Sequence, residues 1–195
     1  SHNPYNWLGL KIKSFNGCSV DESFTSEIEK RLMLGNSIEK IDGVNQLVDI
    51  KKFHLDRIKS LFDIDFISNR LKKMKLRIFV DSMHGSAANC MAEIFASNDL
   101  EVISEIRKDA DPFFGGKPPE PLLNYVNDLN QILMKNSTNE MKTLGIIFDG
   151  DGDRIAAIDE KGRYCSTQDL LPYFISYLGE IKNNSYPVLK TVSGS

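Results

Sequence analysis

The chain reads as an α/β protein whose mixed, mainly parallel sheet is flanked by helices, and three observations predict this. Short apolar runs at residues 76–80, 101–106 and 144–148 alternate with segments whose apolar residues recur at helical spacing, and strands separated by helices pair in parallel through crossovers. The last third changes style. Residues 154–159 and 163–165 flank a Glu160-Lys161-Gly162 turn, a hairpin signature that adds antiparallel strands. Finally, 195 residues with 41% hydrophobic and 26% charged side chains suffice for a sizeable hydrophobic core.

The elements follow in order. Residues 8–15 alternate Leu8, Leu10 and Ile12 with Gly9, Lys11 and Lys13, the period of a strand. Residues 21–34 place Phe24, Ile28 and Leu32 on one helical face, with Gly35 as a stop. The stretch 36–46 is polar, contains Gly43 and reads as a linker. Between 51 and 71, Phe53, Leu55, Ile58, Leu61, Phe62, Ile64, Ile67 and Leu71 support one helix or two short ones. The strand at 76–80 ends in Asp81, and Ser82-Met83-His84-Gly85-Ser86 turns into an Ala-rich helix reaching residue 97 or so. After the strand at 101–106, a Pro- and Gly-rich loop at 111–121 leads into a helix over 120–135, then the strand at 144–148. Ser166 or Thr167, with Asp169 behind it, caps a last helix reaching Gly179. Residues 188–192 open one more strand.

Charge and composition exclude several functions. With 24 Lys+Arg against 27 Asp+Glu the net charge is −3, and the one basic cluster, Lys72, Lys73, Lys75 and Arg77, reads as a solvated helix end. No nucleic-acid partner is expected. No apolar run approaches the roughly 18 residues of a membrane span, and no secretion signal, no membrane partner and a soluble, cytoplasmic protein are expected. Cys18, Cys90 and Cys165 are odd in number and far apart, which points to reduced thiols without a disulfide framework or metal spacing. The chain opens on Ser1-His2-Asn3-Pro4 without an initiator Met and closes on Ser193-Gly194-Ser195, and neither end is expected to be natural.

The most informative residues are Asp149-Gly150-Asp151-Gly152-Asp153-Arg154, delivered by the apolar Gly145-Ile146-Ile147-Phe148. Two glycines allow a tight loop to turn three carboxylates inward. Three such charges repel one another unless a cation sits among them, and hard oxygen ligands suit Mg²⁺ or Ca²⁺. Arg154 adds a cation with a geometry suited to phosphate. The spacing of Asp149, Asp151, Asp153 and Glu160 also satisfies an EF-hand, the basis of an alternative reading as a calcium-binding module. Arg154 nevertheless stands where that loop needs glycine, and strand-like flanks replace its helices. Phe148-Asp149-Gly150-Asp151-Gly152 also resembles the first motif of the haloacid dehalogenase phosphatases, with Asp149 as nucleophile. Asp153 replaces the expected Thr, and the 42 residues that follow are too few for that fold.

Paired with the serine loop, Ser1-His2-Asn3-Pro4, the acidic loop resembles the alpha-D-phosphohexomutase family, the phosphoglucomutases and phosphomannomutases, in both order and separation. Lys11 stands ten residues after Ser1, as in that family's catalytic loop, although Leu8 replaces the usual Asn. Residues 80–86, the stretch Asp111-Pro112-Phe113-Phe114-Gly115-Gly116 with Pro119-Glu120-Pro121, and Lys190-Thr191-Val192-Ser193 resemble further segments of it. The resemblance implies a fragment of a four-domain enzyme: residues 1–46 as the tail of the first, similar α/β domain, 47–188 as the second domain, and 189–195 as the start of the third. It implies an isomerase interconverting hexose 1- and 6-phosphates, glucose first and mannose next, through a phosphoserine at Ser1 and a bisphosphorylated sugar. Mg²⁺ would be held by Ser1, Asp149, Asp151 and Asp153, phosphate by Arg154, with Lys11 as acid/base and His2 shaping the serine loop. The partners implied are a sugar phosphate and the missing domains of the same polypeptide, and the isolated fragment is expected to be inactive. Ser1 as an N-terminal nucleophile using its own amine is a further alternative. His84 reads as a packing or capping residue, His54 as a surface residue, and Phe113-Phe114 as a loop anchor.

Overall fold

The computed structural model describes residues 6–7, 9–35, 43–96 and 102–189. They fall into two units, Asn6–Asp49 and the described residues from Ile50 onward.

In the first unit, helix α1 (Glu22–Met33) carries acidic Glu22 in its first turn and basic Lys30 and Arg31 in its last, charges that oppose the helix dipole. The strand expected over residues 8–15 reduces to one antiparallel bridge, Lys13 to Ser19, closing a turn in which the Ser14 amide donates to the Cys18 carbonyl at 2.9 Å. Alternation makes a strand only where one face is covered, and here Leu10 and Phe15 are fully exposed. Leu8 lies outside the described residues.

The second unit holds the sheet. The apolar stretch after residue 50 forms two helices, α2 (Ile50–Leu61) and α3 (Ile64–Met74). The break falls where the Asp63 carboxylate accepts the Phe66 amide at 2.8 Å and caps α3. Lys75, in the left-handed region at φ 51°, ends α3 and starts β1 (Leu76–Asp81). The remaining elements are α4 (Cys90–Phe95), β2 (Ile103–Ile106), α5 (Asn127–Asn136), β3 (Lys142–Phe148), β4 (Ile155–Ile158), β5 (Tyr164–Cys165) and α6 (Thr167–Ser176). The sheet order is β2-β1-β3-β4-β5, with β1 parallel to both β2 and β3 and the β3-β4-β5 meander antiparallel. This is the mixed α/β architecture expected.

Both faces of the sheet are covered. Phe79, Ile147, Ala156 and Ile158 pack with Val126, Leu129 and Leu133 beside and on α5. On the other face Ile78 and Val80 meet Leu71 of α3, and Leu55 of α2 packs with Ile94 and Phe95 of α4. Gly145 of β3 lies under α5, where an added Cβ would come within 2.8 Å of a Leu133 methyl and 3.0 Å of one of Leu129. Gly145→Ala is therefore expected to destabilise the chain by about 1–3 kcal/mol through overpacking, measured by urea unfolding.

Three helix boundaries differ from the expected ones, each for a local reason, and β3 starts two residues earlier than expected, at Lys142. Helix α4 begins only at Cys90, because Met83, His84 and Asn89 take positive φ of 46°, 60° and 62° and carry the chain through turns. Helix α5 begins at Asn127, after a 3-10 turn at Leu123–Tyr125; the prolines at 118, 119 and 121 hold the preceding residues extended. Helix α6 starts as expected, with a reciprocal Ser166–Asp169 capping box, but gives way after Ser176 to a wider turn, Tyr177–Ile181. Of the strand expected at 188–192, Val188 and Leu189 are irregular and the rest lies outside the described residues. The three cysteines are free. No helix among the described residues is long and apolar enough to cross a membrane.

Candidate metal centre

The chain runs from β1 to β2 on one side and then crosses back over β1 to place β3 on its other side. In open α/β sheets that reversal leaves a crevice at the carboxyl ends of the strands, the usual place for a ligand. Asp81 at the end of β1 is in register with Ile147 near the end of β3, so the loops that follow them leave the sheet side by side. One is residues 82–86. The other is the acidic loop.

Asp149 continues the alternation of β3, in which Thr143, Gly145 and Ile147 occupy the buried face, and its side chain is fully buried. Its carboxylate accepts the Arg154 amide at 3.1 Å on Oδ1 and the Arg154 Nε at 2.8 Å on Oδ2. A carboxylate offers about four lone-pair sites, so both oxygens retain capacity for a cation. Gly152, at φ 74°, reverses the chain in a conformation that favours glycine, and Asp151 and Asp153 stay exposed. One oxygen from each of Asp149, Asp151 and Asp153 lies within 4.8 Å of the others. The structure thus brings together the three predicted metal-ligating aspartates. One is buried and two are exposed, a hard-oxygen donor set that could hold a divalent cation and leave positions for water or a ligand.

Arg154 sits inside this cluster. Its Nε is 2.8 Å from Asp149 and 4.0 Å from Asp153, and its Nη1 is 4.0 Å from Glu120. Burial pulls the guanidinium pKa down, but the hydrogen bond and charge of Asp149 and the charges of Glu120 and Asp153 outweigh it and hold it above its ordinary value. Among the described residues, the three aspartates and Glu120 outnumber Arg154, a charge balance that favours a cation. Lys11 is exposed, in the Asn6–Asp49 unit. Ser1 and His2 lie outside the described residues.

Two neighbouring segments also touch the loop, and reading the sequence missed both. The Ser86 amide donates to the Gly150 carbonyl at 3.0 Å, and the Gly150 amide donates to the Pro119 carbonyl at 3.1 Å. Backbone contacts leave no residue-type signature; the only hint was a glycine in the turn at 82–86 and prolines around Glu120. His84 behaves as the packing residue expected, its Nδ1 2.7 Å from the Asp109 carbonyl. Asp111 accepts the amides of Phe113 and Gly115, both at 2.9 Å, which lower its pKa and fix the Phe113-Phe114 loop. The acidic loop is bounded by strands β3 and β4, which excludes the helix-loop-helix of an EF-hand.

A sheet with a carboxylate loop at its switch point defines a class: open α/β domains whose switch-point crevice can take a ligand. The family is narrower. The family model for phosphoglucomutase/phosphomannomutase, alpha/beta/alpha domain II, matches residues 52–162, and the chain belongs to this family. Among curated relatives, the phosphoglucosamine mutase of Methanococcus vannielii is 31% identical over 199 residues, covering 100% of this chain and 42% of the relative. The probable phosphoglucosamine mutase of Methanococcoides burtonii is 28% identical over 186 residues, covering 89% and 38%. A solved phosphoglucomutase/phosphomannomutase family protein from Burkholderia thailandensis superposes with a TM-score of 0.65 at 22% identity, over 85% of this chain and 33% of that one. The chain therefore spans about two fifths of the length of the curated relatives it matches.

Proposed function

We propose that this chain is the metal-bearing part of a phosphohexomutase, an isomerase that moves a phosphoryl group between the 1- and 6-positions of a hexose phosphate. The single observation that carries the reading is the Asp149, Asp151 and Asp153 cluster at the switch point of a sheet belonging to this family. Residues 1–46 are assigned to the end of a first domain, 47–188 to the second, and 189–195 to the start of a third. The chain packs against the rest of the longer polypeptide.

Asp149, Asp151 and Asp153, with Ser1 as phosphoserine, would hold Mg²⁺, which when bound neutralises charge on the transferring phosphoryl group. Buried Asp149 fixes the position of the acidic loop, and exposed Asp151 and Asp153 present their oxygens to the crevice. Ser1 carries a phosphoryl group, passes it to a sugar monophosphate and takes the sugar's other phosphoryl group from the bisphosphorylated intermediate. Arg154 offers phosphate the guanidinium charge that Asp149 orients. Lys11 serves as acid/base and His2 shapes the serine loop. The named relatives direct the choice of sugar towards glucosamine phosphate ahead of glucose or mannose.

Intact-protein and peptide mass spectrometry of the active full-length enzyme is expected to find phosphate on Ser1, and a fully active enzyme with none would refute the mechanism. The isolated 195-residue chain is expected to show no mutase turnover.

A further inference from the structure

Resting on the metal reading above, we infer that the acidic loop is preset before any cation arrives. Two backbone contacts clamp it, and Gly85 is the positioning residue that lets them form. Gly85 does not owe its identity to its own backbone angles, since its φ lies outside the left-handed region. What excludes a side chain there is proximity. A Cβ on Gly85 would stand 2.5 Å from the Gly150 carbonyl oxygen, 2.9 Å from the Gly150 Cα and 3.0 Å from the Asp149 carbonyl oxygen. All three obstacles are backbone atoms of the acidic loop, so no rotamer change relieves them.

That approach positions the Ser86 amide for its 3.0 Å bond to the Gly150 carbonyl, while the Pro119 carbonyl holds the Gly150 amide at 3.1 Å from another segment. Gly150 thus has both backbone groups tied to residues outside its own loop, between Asp149 and Asp151. Ser86 crowds the next glycine as well: a Cβ added to Gly152 would lie 3.2 Å from the Ser86 Oγ. Before a metal ion arrives, the loop has to bring three like charges together against a repulsion that Arg154 offsets only in part. A neutral clamp on the intervening glycines does this without spending a carboxylate oxygen on the clamp itself. Cations then bind a site already ordered, which avoids the cost of ordering it on binding.

Two measurements on the 195-residue chain test this. Calorimetric titration with Mg²⁺ is expected to show affinity at least about tenfold weaker in Gly85→Ala than in the unaltered chain, the scale of effect of supporting groups around metal ligands, with thermal unfolding of the metal-free protein still cooperative. Amide hydrogen exchange of the unaltered, metal-free chain by NMR is expected to show the Ser86 and Gly150 amides slowed by about 100-fold or more against unstructured amides, a readout that stands even if Gly85→Ala fails to fold. Equal Mg²⁺ affinity in the variant would overturn the clamp and leave the metal reading standing. Unprotected amides that become protected only on adding Mg²⁺ would also overturn it, because the ion would then be the organiser. An unaltered chain that binds no Mg²⁺ would remove the metal reading, and the inference with it.

Discussion

Arg107→Ala is expected to destabilise the chain by about 3–5 kcal/mol, the cost of leaving a buried charge without its partner. Asp81, at the carboxyl end of β1, is fully buried. Its oxygens accept the Arg107 Nε at 2.8 Å and Nη2 at 2.5 Å in a two-point pair, and Oδ1 also takes the Met83 amide at 3.1 Å. Arg107 spends a further donor on the Tyr125 carbonyl at 3.1 Å. The pair therefore ties together the end of β1, the exit from β2 and the approach to α5, under the crevice that holds the acidic loop. Removing the arginine strands the Asp81 charge; removing both with Asp81→Asn/Arg107→Ala takes the charge away too and is expected to recover part of the loss. Urea unfolding of the two variants measures the difference. A loss below about 1 kcal/mol in Arg107→Ala, the range of exposed ion pairs, would show that the pair is not structural.

That ion pair marks the limit of what the sequence discloses. Asp81 is visible as the acid closing an apolar strand and Arg107 as a residue after another, but nothing in their spacing states that parallel pairing of β1 and β2 sets them together. The acidic loop was legible for the opposite reason. Its three aspartates are local, and the alternation of β3 that buries Asp149 is written in the strand itself. Helix and strand types followed from periodicity, and the hairpin of β4 and β5 from its turn. Boundaries were lost where backbone conformation departs from side-chain pattern, as at left-handed Met83, His84 and Asn89, or among the prolines before α5. The stretch 8–15 shows a different limit, since its alternation is real but has only Ser19 to pair with among the described residues.

Asp149→Asn is expected to weaken Mg²⁺ binding by about 100-fold or more, above the 10–100-fold typical of groups that merely support a ligand. Asp151→Asn should cost less, about tenfold, because Mg²⁺ readily keeps waters in its coordination shell and an exposed position can be refilled by one. Burial separates the two. Asp149 is the buried aspartate of the three, held through the Arg154 amide and Nε, so its oxygens reach a cation without further loss of side-chain freedom. An asparagine there keeps one acceptor, loses the charge and turns an amide donor towards the donors of Arg154. Stability is expected to change much less than affinity. The substitution loses attraction to Arg154 but also relieves the repulsion between Asp149 and the carboxylates of Asp151 and Asp153, whose oxygens lie within 4.8 Å. Calorimetric titration with Mg²⁺, with thermal unfolding run alongside, distinguishes these effects. If Asp151→Asn proved the more damaging of the two, the ion would be anchored from the solvent side of the loop, and the buried carboxylate would serve to hold Arg154.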